Sequence, residues 1–400
     1  MLKDIKILII YNPKAGKGKI KKSIPEIKKM FNDSGLAPDF YATKCRGDAT
    51  EAAKKYLKRY CKAEYGYYGK QGKPEGSTRK HNIYVVAAGG DGTLNEVMSG
   101  VLSTGYDVPI GIIPTGSTND FGYSLKLEGD PVRLAHIVLD AILQDRAFEC
   151  DVAVYSSDTG SNDLKPGHME GNEREHKDAG EKYITYTAAF GLFSDVSYAT
   201  PQKLKNTFGH LAYLMYGAKH ILKTRKIHAR ISYTGDEKLL RYAQDDMGSQ
   251  DDKDNYDDKN IGSENGVILN EVKNLYMVDA DLLLGMIVSA KSVGGFRGIT
   301  GSDVALDDGE HELLFVKWPD GPLKLLKTIG HAIGMVLKRP DALEKSKDLS
   351  VDYGIKIIKV KEASFTFDKP VPWALDGEDG GEHKEVTITV NKKAVSYLAG

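Results

Sequence analysis

A glycine-rich turn with a single acidic residue, Gly89-Gly90-Asp91-Gly92-Thr93, is the strongest candidate for chemistry in the sequence. It lies between a short apolar run at 83–88, typical of a buried strand, and apolar residues at helical spacing from Leu94 onwards. Glycines let backbone N–H groups approach an anion, and the start of a helix adds partial positive charge. Asp91 would repel phosphate unless Mg²⁺, or water bound to it, lies between them. The alternative is a plain tight turn with a helix cap. Three glycines, an acid and a threonine between a strand and a helix favour a nucleotide site instead.

Two more turns follow apolar strand-like runs. Residues 12–18 (NPKAGKG) lack the full GxxxxGK[ST] pattern of a P-loop, and residues 114–121 (PTGSTNDF) follow the run at 108–113. In the first of these, Lys17, together with Lys22 beyond it, is a candidate phosphate ligand, with plain surface lysine as the alternative. Because parallel sheets bind ligands at the carboxyl ends of their strands, we expect the three turns to meet.

The strands and helices that must position these turns alternate along the first half, which predicts a right-handed parallel α/β sheet. Ser23 and Glu26 are candidates for a capping box, and Asp130 with Pro131 predicts another helix start. The predicted strands cover 5–11, 39–43, 83–88 and 108–113, and the predicted helices cover 20–31, 48–60, 94–101 and 131–143, with a loop at 62–80.

The pattern changes near residue 147 to successive strand-like segments, which predicts a mostly antiparallel second half, a β-sandwich. The segments are 148–155, 183–190, 227–233, 275–288 as two strands, 312–316 and 355–366, with helices at 204–223 and 322–337. Two polar insertions interrupt it, 156–182 and 234–260, and the second has nine acids against four bases. The basic helix at 204–223 either rests on anionic lipid or packs on the sandwich.

Length and composition favour a two-domain globular protein. The 400 residues are 41% hydrophobic and 28% charged, with a net charge of −1 that argues against nucleic acid as a partner. Residues 1–30 hold nine Lys against two acids, which suits phosphates, an anionic membrane or a solvated helix face. Three cysteines without metal-ligand spacing favour the cytoplasm. No signal-peptide layout is seen, and no apolar run reaches the ~20 residues of a membrane span, so we expect peripheral membrane contact at most.

The turn sequences resemble the diacylglycerol kinase catalytic family of bacterial soluble lipid kinases, with sphingosine kinases as more distant relatives. The similar motifs are YNPKAGKGK (11–19), GGDGTLNEV (89–97) and IPTGSTNDFG (113–122), followed by the segment 188–217, VGGF (293–296), ALDDGE (305–310) and ALDGEDGG (374–381). GGDGT alone is shared with NAD kinases and 6-phosphofructokinase relatives, and the later motifs narrow the resemblance to lipid kinases. It covers essentially the whole chain except the polar insertions.

This resemblance implies α/β plus β architecture: a Rossmann-like (phosphofructokinase-like) ATP-binding domain over 1–146 and an antiparallel β-sandwich lipid-binding domain over 147–400. It implies transfer of the γ-phosphoryl of ATP, with Mg²⁺, to the hydroxyl of diacylglycerol in the cleft between them, giving phosphatidic acid. The partners would be a lipid substrate and a membrane surface, and a homodimer is compatible with it. The alternatives are a kinase of another lipid alcohol (a sphingoid base or phosphatidylglycerol), an NAD kinase and a nucleotide-binding regulator without transfer activity.

The same resemblance implies roles for individual residues. Glu378 would be the general base, although a hairpin turn alone explains its Asp- and Gly-rich neighbourhood. Asp91, Asp120 and Asp151 would form a water and Mg²⁺ network, and Asp308 would bind a structural Mg²⁺ with the carbonyls of Ala305 and Glu310, where composition alone indicates a turn. Lys17 and Lys22 would lie near the phosphates. Tyr216 occupies a position that is lysine in some relatives, which weakens the prediction of the lipid headgroup contacts. The ATP site would comprise Asn12, Pro13, Lys14, Ala15, Gly16, Thr43, Gly89, Gly90, Asp91, Gly92, Thr93, Leu94, Asn95 and Ser117.

Overall fold

The structure is a computed structural model that describes residues 4–65, 81–158, 181–191, 225–235, 267–270, 275–297, 304–319, 321, 324 and 355–398. The helix predicted at 204–223, Tyr216, most of the helix predicted at 322–337 and most of the two polar insertions lie outside these residues. In chain order the first-half elements are β1 (Lys6–Tyr11), a short 3₁₀ turn (Ala15–Gly18), α1 (Lys19–Asp33), β2 (Asp39–Ala42), α2 (Asp48–Tyr65), β3 (Ile83–Gly89), α3 (Asp91–Leu102), β4 (Ile110–Pro114), α4 (Asp120–Ser124) and α5 (Pro131–Gln144). The later ones are β5 (Ala147–Ser157), β6 (Lys182–Ile184), β7 (Thr187–Gly191), β8 (Ile227–Thr234), β9 (Val267–Asn270), β10 (Leu275–Val288), β11 (Ser292–Val293), β12 (Phe296–Arg297), β13 (His311–Lys317), β14 (Ile355–Val360), β15 (Glu362–Leu375) and β16 (Glu378–Leu398).

The first half contains the predicted parallel sheet, in the order β4-β3-β1-β2. β3 and β4 are apolar and buried along their whole length, as expected for central strands covered by helices on both faces. Helix α1 buries Ile20, Ile27 and Phe31, whose spacing places them on one face. The carboxyl ends of these strands therefore lie at one edge of the sheet.

Helix starts agree with the sequence in one case and differ in another. The side chain of Asp130 accepts hydrogen bonds from the N–H groups of Val132 and Arg133, which confirms the predicted start of α5. The capping box at Ser23 was wrong, because α1 already begins at Lys19 and the Ser23 hydroxyl donates to the Lys19 carbonyl inside the helix. Helix α2 also runs to Tyr65, into the predicted loop, and the short helix α4 was not predicted.

In the second half, the long strands β10 and β15 organise the sheet. β7 and β8 lie end to end between them, and each pairs with both long strands. The prediction of two strands over 275–288 was wrong: β10 is a single strand with an irregular register between Leu282 and Leu284. Conversely, the segments predicted at 183–190 and 355–366 are each divided between two strands.

The final strand joins the two halves. β16 pairs with β15 and β5 over much of its length, and at Tyr397 it pairs in parallel with Ile110 of β4. Among the described residues, all strands except β11 and β12 therefore belong to one 14-stranded sheet. Val395, Tyr397 and Leu398 pack in the core of the first half, whereas Trp373 lies in the core of the second. The division into a Rossmann-like domain and a sandwich, with a boundary at 146, stays a prediction.

Candidate active site

The glycine-rich turn at the end of β3 is in close contact with the turn at the end of β4. The Thr115 N–H donates to the Gly89 carbonyl at 2.7 Å. A Cβ atom on Gly116 would lie 2.6 Å from the Cα of Gly90, and one on Gly89 would lie 2.4 Å from the Thr93 hydroxyl oxygen. Glycine is therefore required at 116 because the two backbones approach so closely, and at 89 because the Thr93 side chain occupies the space of a Cβ.

The turn after β1 contacts both of the others. The Asn12 N–H donates to the Ala88 carbonyl at 3.0 Å, and a Cβ on Gly16 would lie 1.9 Å from the Thr115 carbonyl oxygen. Gly16 has a φ of 55° and Lys17 a φ of 59°, left-handed conformations that turn the backbone sharply. The prediction that the three turns meet at one edge of the sheet is confirmed.

Asp91 lies inside this group of turns as the first residue of α3. Its carboxylate accepts hydrogen bonds from the Thr118 hydroxyl at 3.2 Å and the Phe121 N–H at 3.3 Å. Burial, followed by the charges of Asp120 and Asp376, raises the pKa of Asp91 to about 7, although hydrogen bonds from the backbone of Asp120 and Phe121 oppose this. A carboxylate that costs this much to ionise is a place where a cation would be stabilised.

Asp120, at the start of α4, explains the VGGF motif. Its buried carboxylate accepts hydrogen bonds from the Ser292 hydroxyl at 2.5 Å and from the N–H groups of Gly294 and Gly295 at 2.9 and 2.8 Å. Gly294 and Gly295 both have positive φ, so the turn between β11 and β12 can present these N–H groups to one carboxylate. Burial raises the pKa of Asp120, while these hydrogen bonds lower it.

The turn between β15 and β16 brings an acid from the second half to the same edge. Asp376, at a φ of 49°, accepts hydrogen bonds from the N–H groups at 185–187 and from the side-chain amide of Asn95 on α3. Glu378 then begins β16 with one carboxylate oxygen, Oε1, 3.6 Å from where a Cβ on Gly92 would lie. The other, Oε2, is 2.5 Å from Nη2 of Arg46.

The ALDDGE segment and Asp151 form a separate cluster. Asp151 is buried and accepts hydrogen bonds from the Gly309 N–H at 2.5 Å and the Lys393 N–H at 2.7 Å. Asp308 accepts from the Glu310 N–H at 3.0 Å, and its other oxygen is 2.5 Å from Nζ of Lys359. Within the described ranges, no group of three or more His, Cys, Asp or Glu side chains is arranged to hold a metal ion.

Comparison with known proteins finds diacylglycerol kinases among the similar sequences. Residues 6–153 match the diacylglycerol kinase catalytic domain. A diacylglycerol kinase of Staphylococcus haemolyticus is 27% identical over 380 residues, which cover 94% of this chain and 82% of that protein. One of Bacillus subtilis is 26% identical over 309 residues, covering 77% of this chain and 73% of the relative. These similarities support the resemblance to the diacylglycerol kinase family that the sequence motifs indicate.

A solved structure has a similar fold. The crystal structure of a putative diacylglycerol kinase from Bacillus anthracis superimposes with a TM-score of 0.61, covering 99% of this chain and 95% of that one, at 17% sequence identity. Among the described residues of this chain, no helix is long and apolar enough to cross a membrane.

The structure brings most of the predicted site residues together. The three turns, with Asp91, Asn95, Ser117 and Glu378, lie at one edge of the sheet, and the Thr43 N–H bonds to the Tyr11 carbonyl beside them at 2.9 Å. Lys17 and Lys22 are exposed at the start of α1. By their described contacts, Asp151 and Asp308 join the ALDDGE segment rather than the turns.

Three residues with evident roles were missed by sequence reasoning. Arg46 contacts Glu378, Glu96 holds the segment that carries Arg46, and Lys359 contacts Asp308. Glu96 lies within the GGDGTLNEV motif, and this motif was the signal that could have marked it as a candidate site residue. Arg46 and Lys359 carry no sequence signal, because each meets a partner that is remote along the chain.

Proposed function

We propose that this protein is a lipid kinase that transfers the γ-phosphoryl of Mg-ATP to the hydroxyl of diacylglycerol, giving phosphatidic acid. The observation that carries the proposal is the position of Glu378, whose Oε1 lies beside Gly92 in the glycine-rich turn. An acid from the second half thus meets the turn that suits phosphate. The names of the relatives support diacylglycerol as the acceptor.

In this proposal the three turns bind ATP through their backbone. Glycines at 16, 89 and 90 let the turns pack closely, Gly92 is exposed at the turn, and the start of α3 adds partial positive charge. The exposed lysines Lys17 and Lys22 supply positive charge from the neighbouring turn and helix. Phosphoryl transfer depends mainly on such positioning and charge neutralisation.

Glu378 accepts the proton of the lipid hydroxyl as the new O–P bond forms, because one of its oxygens faces the turn that holds the phosphates. Asp376 determines where Glu378 lies, since its carboxylate is held by the backbone at 185–187 and by Asn95. The hydrogen bonds of Asp376 hold the turn before β16 against α3. Both halves of the chain are therefore needed to build the site.

Two metal roles must be distinguished. Asp91 suits a cation that accompanies ATP, because burial and neighbouring acids disfavour its charge; such a cation neutralises phosphate charge. Asp308 does not fit the structural Mg²⁺ expected with Ala305 and Glu310, since the ammonium group of Lys359 already neutralises its carboxylate. We assign Asp120 and Asp151 to holding the β11–β12 turn and the ALDDGE segment, because these occupy their oxygens.

A membrane-resident acceptor would require peripheral membrane contact, which we include in the proposal together with a cytoplasmic location. Transfer of label from [γ-³²P]ATP to dispersed diacylglycerol, sphingosine, phosphatidylglycerol and NAD tests the activity and its acceptor. We expect labelled phosphatidic acid as the main product. If ADP formation does not depend on any lipid, the proposal of a lipid kinase is wrong. If the main labelled product is not phosphatidic acid, the preferred acceptor is another of the molecules offered.

The variant Glu378→Gln tests the base. We expect its kcat to fall by about 10²-fold or more, because general bases typically contribute 10²–10⁴ in rate, with little change in ATP affinity. Glu382→Gln is the matched control, since Glu382 is an exposed carboxylate on the same strand. Undiminished turnover in Glu378→Gln would require another base.

A further inference from the structure

An ion pair connects the two halves of the chain at the proposed site. Arg46 lies between β2 and α2, and its Nη2 is 2.5 Å from Oε2 of Glu378 at the start of β16. The other oxygen of the same carboxylate, Oε1, faces Gly92. The two oxygens thus have different surroundings, one at an arginine and one at the glycine-rich turn.

This ion pair is not explained by stability. The side chain of Arg46 is 72% exposed and that of Glu378 is 48% exposed. Ion pairs in contact with solvent contribute little to folding, because water screens the attraction and two long side chains lose freedom. Apart from stability, the contact can act on the orientation of the Glu378 carboxylate.

The backbone that carries Arg46 is firmly held. The carboxylate of Glu96, on α3, accepts hydrogen bonds from the Gly47 N–H at 2.8 Å and the Ala49 N–H at 3.1 Å. Asp48 accepts from the Tyr41 hydroxyl and the Lys44 N–H at 2.8 and 2.7 Å. Arg46 is therefore presented from a segment anchored to the helix that follows the glycine-rich turn.

We propose that Arg46 is a positioning residue for the phosphoryl transfer. By binding Oε2, it fixes the rotation of the Glu378 carboxylate so that Oε1 stays at Gly92, where the lipid hydroxyl meets the γ-phosphoryl. This inference rests on the proposed function, in which Glu378 is the base. A planar guanidinium suits the task because it constrains the orientation of a carboxylate, whereas an ammonium group acts as a point charge.

A positioning role predicts a specific kinetic pattern. Loss of Arg46 leaves the turns that bind ATP intact, so the affinity for ATP is unchanged while the rate of transfer falls. If Arg46 instead bound the phosphates directly, the affinity for ATP would fall together with the rate. If the contact were incidental, neither quantity would change.

The test compares Arg46→Ala, Arg46→Lys and the native protein, with Lys44→Ala as a matched control for loss of an exposed positive charge in the same segment. The kcat with diacylglycerol, the Kd of a non-hydrolysable ATP analogue and the melting temperature are measured for each. We expect kcat to fall about tenfold in Arg46→Ala, part of the usual contribution of a general base, with partial recovery in Arg46→Lys. The Kd and melting temperature should stay near the native values, and Lys44→Ala should be active.

A native kcat in Arg46→Ala, or a Kd that rises in proportion to the loss of kcat, would overturn the positioning role. A failure of the proposed function looks different, because the native protein itself would then show no lipid-dependent turnover.

Discussion

The side-chain amide of Asn95 donates a hydrogen bond of 2.8 Å to Oδ2 of Asp376. Asn95 lies on the helix that begins in the glycine-rich turn, and Asp376 lies two residues before Glu378. The same amide also contacts the Tyr183 carbonyl and the Thr185 hydroxyl, at 2.9 and 3.0 Å. One polar side chain thus ties the predicted nucleotide turn to the strand ends that position the predicted base.

Replacing Asn95 should therefore affect both folding and transfer. In Asn95→Ala the Asp376 carboxylate loses a donor, and we expect the free energy of unfolding to fall by about 1.5–3 kcal/mol, the usual contribution of a hydrogen bond to a charged group. Asn95→Asp should be worse, because it places a second carboxylate against Asp376. Urea denaturation and kcat check this; equal stability of the two variants would show that Asp376 is not charged.

Gly16→Ala should abolish ATP binding. The added Cβ would lie 1.9 Å from the Thr115 carbonyl oxygen, so the first turn would have to move away from the third. Gly35→Ala is the control, because Gly35 also has positive φ but has open space around it. That control should cost roughly 1 kcal/mol of stability through backbone strain and leave the affinity for ATP unchanged. Calorimetric titration of ATP separates the two outcomes, and tight binding to Gly16→Ala would contradict the close contact.

The raised pKa of the Asp91 carboxyl should make the ligand-free protein less stable as the pH rises from about 4 to 7. The unfolded chain releases this proton near the ordinary value of 3.8 and the folded chain near pH 7, so in that window the folded state binds the extra proton. Above pH 7 the free energy of unfolding falls no further on account of Asp91. The total decrease is at most about 4 kcal/mol for a pKa difference of this size.

Asp91→Asn removes that titration. We expect the variant to be more stable than the native protein at pH 8, similar to it near pH 4, and inactive in transfer. The comparison is made by chemical denaturation in the presence of a chelator. Glu312, whose pKa burial raises to about 8, is common to both proteins and cancels in the difference. A native pH dependence in the variant would assign the effect to another group.

Metal removal should leave the ALDDGE segment intact. Because Lys359 neutralises Asp308, we expect EDTA to leave the melting temperature of the nucleotide-free protein unchanged. Lys359→Met should lower the free energy of unfolding by about 1–3 kcal/mol, since it leaves a partly buried carboxylate without its cation. Lys361→Met should cost less, because Nζ of Lys361 is 3.9 Å from Glu310 and its side chain is 57% exposed. A melting temperature that falls with EDTA and recovers with Mg²⁺ would restore the metal site.

The sequence was most informative where local rules determine the structure. The apolar runs of β1, β3 and β4 and the Asp130 cap of α5 follow from hydrophobicity and capping alone. β10 was divided in error because its burial alternates in its first part and is continuous in its second. The strand passes from a region with one solvent-facing side to one covered on both sides, so one strand carries two patterns.

The site was predictable only in part, because its decisive contacts join distant segments. The glycine turns predict their own chemistry, yet nothing near Gly92 indicates that Glu378 approaches it, and nothing near Asp308 indicates Lys359. The whole of β16 was missed, and in its early part a run of charged residues hides the alternation of buried and exposed positions. These contacts depend on the register of long strands, which local periodicity does not specify.

The parallel pairing of Tyr397 with Ile110 also bears on biosynthesis. The hydrophobic core of the first half receives the side chains of Val395, Tyr397 and Leu398, so during synthesis this core is incomplete until the residues of β16 have been made. Until β16 has been synthesised, the edge of β4 at Ile110 lacks its parallel partner, so we expect the amino-terminal half to reach its final packing only late in synthesis.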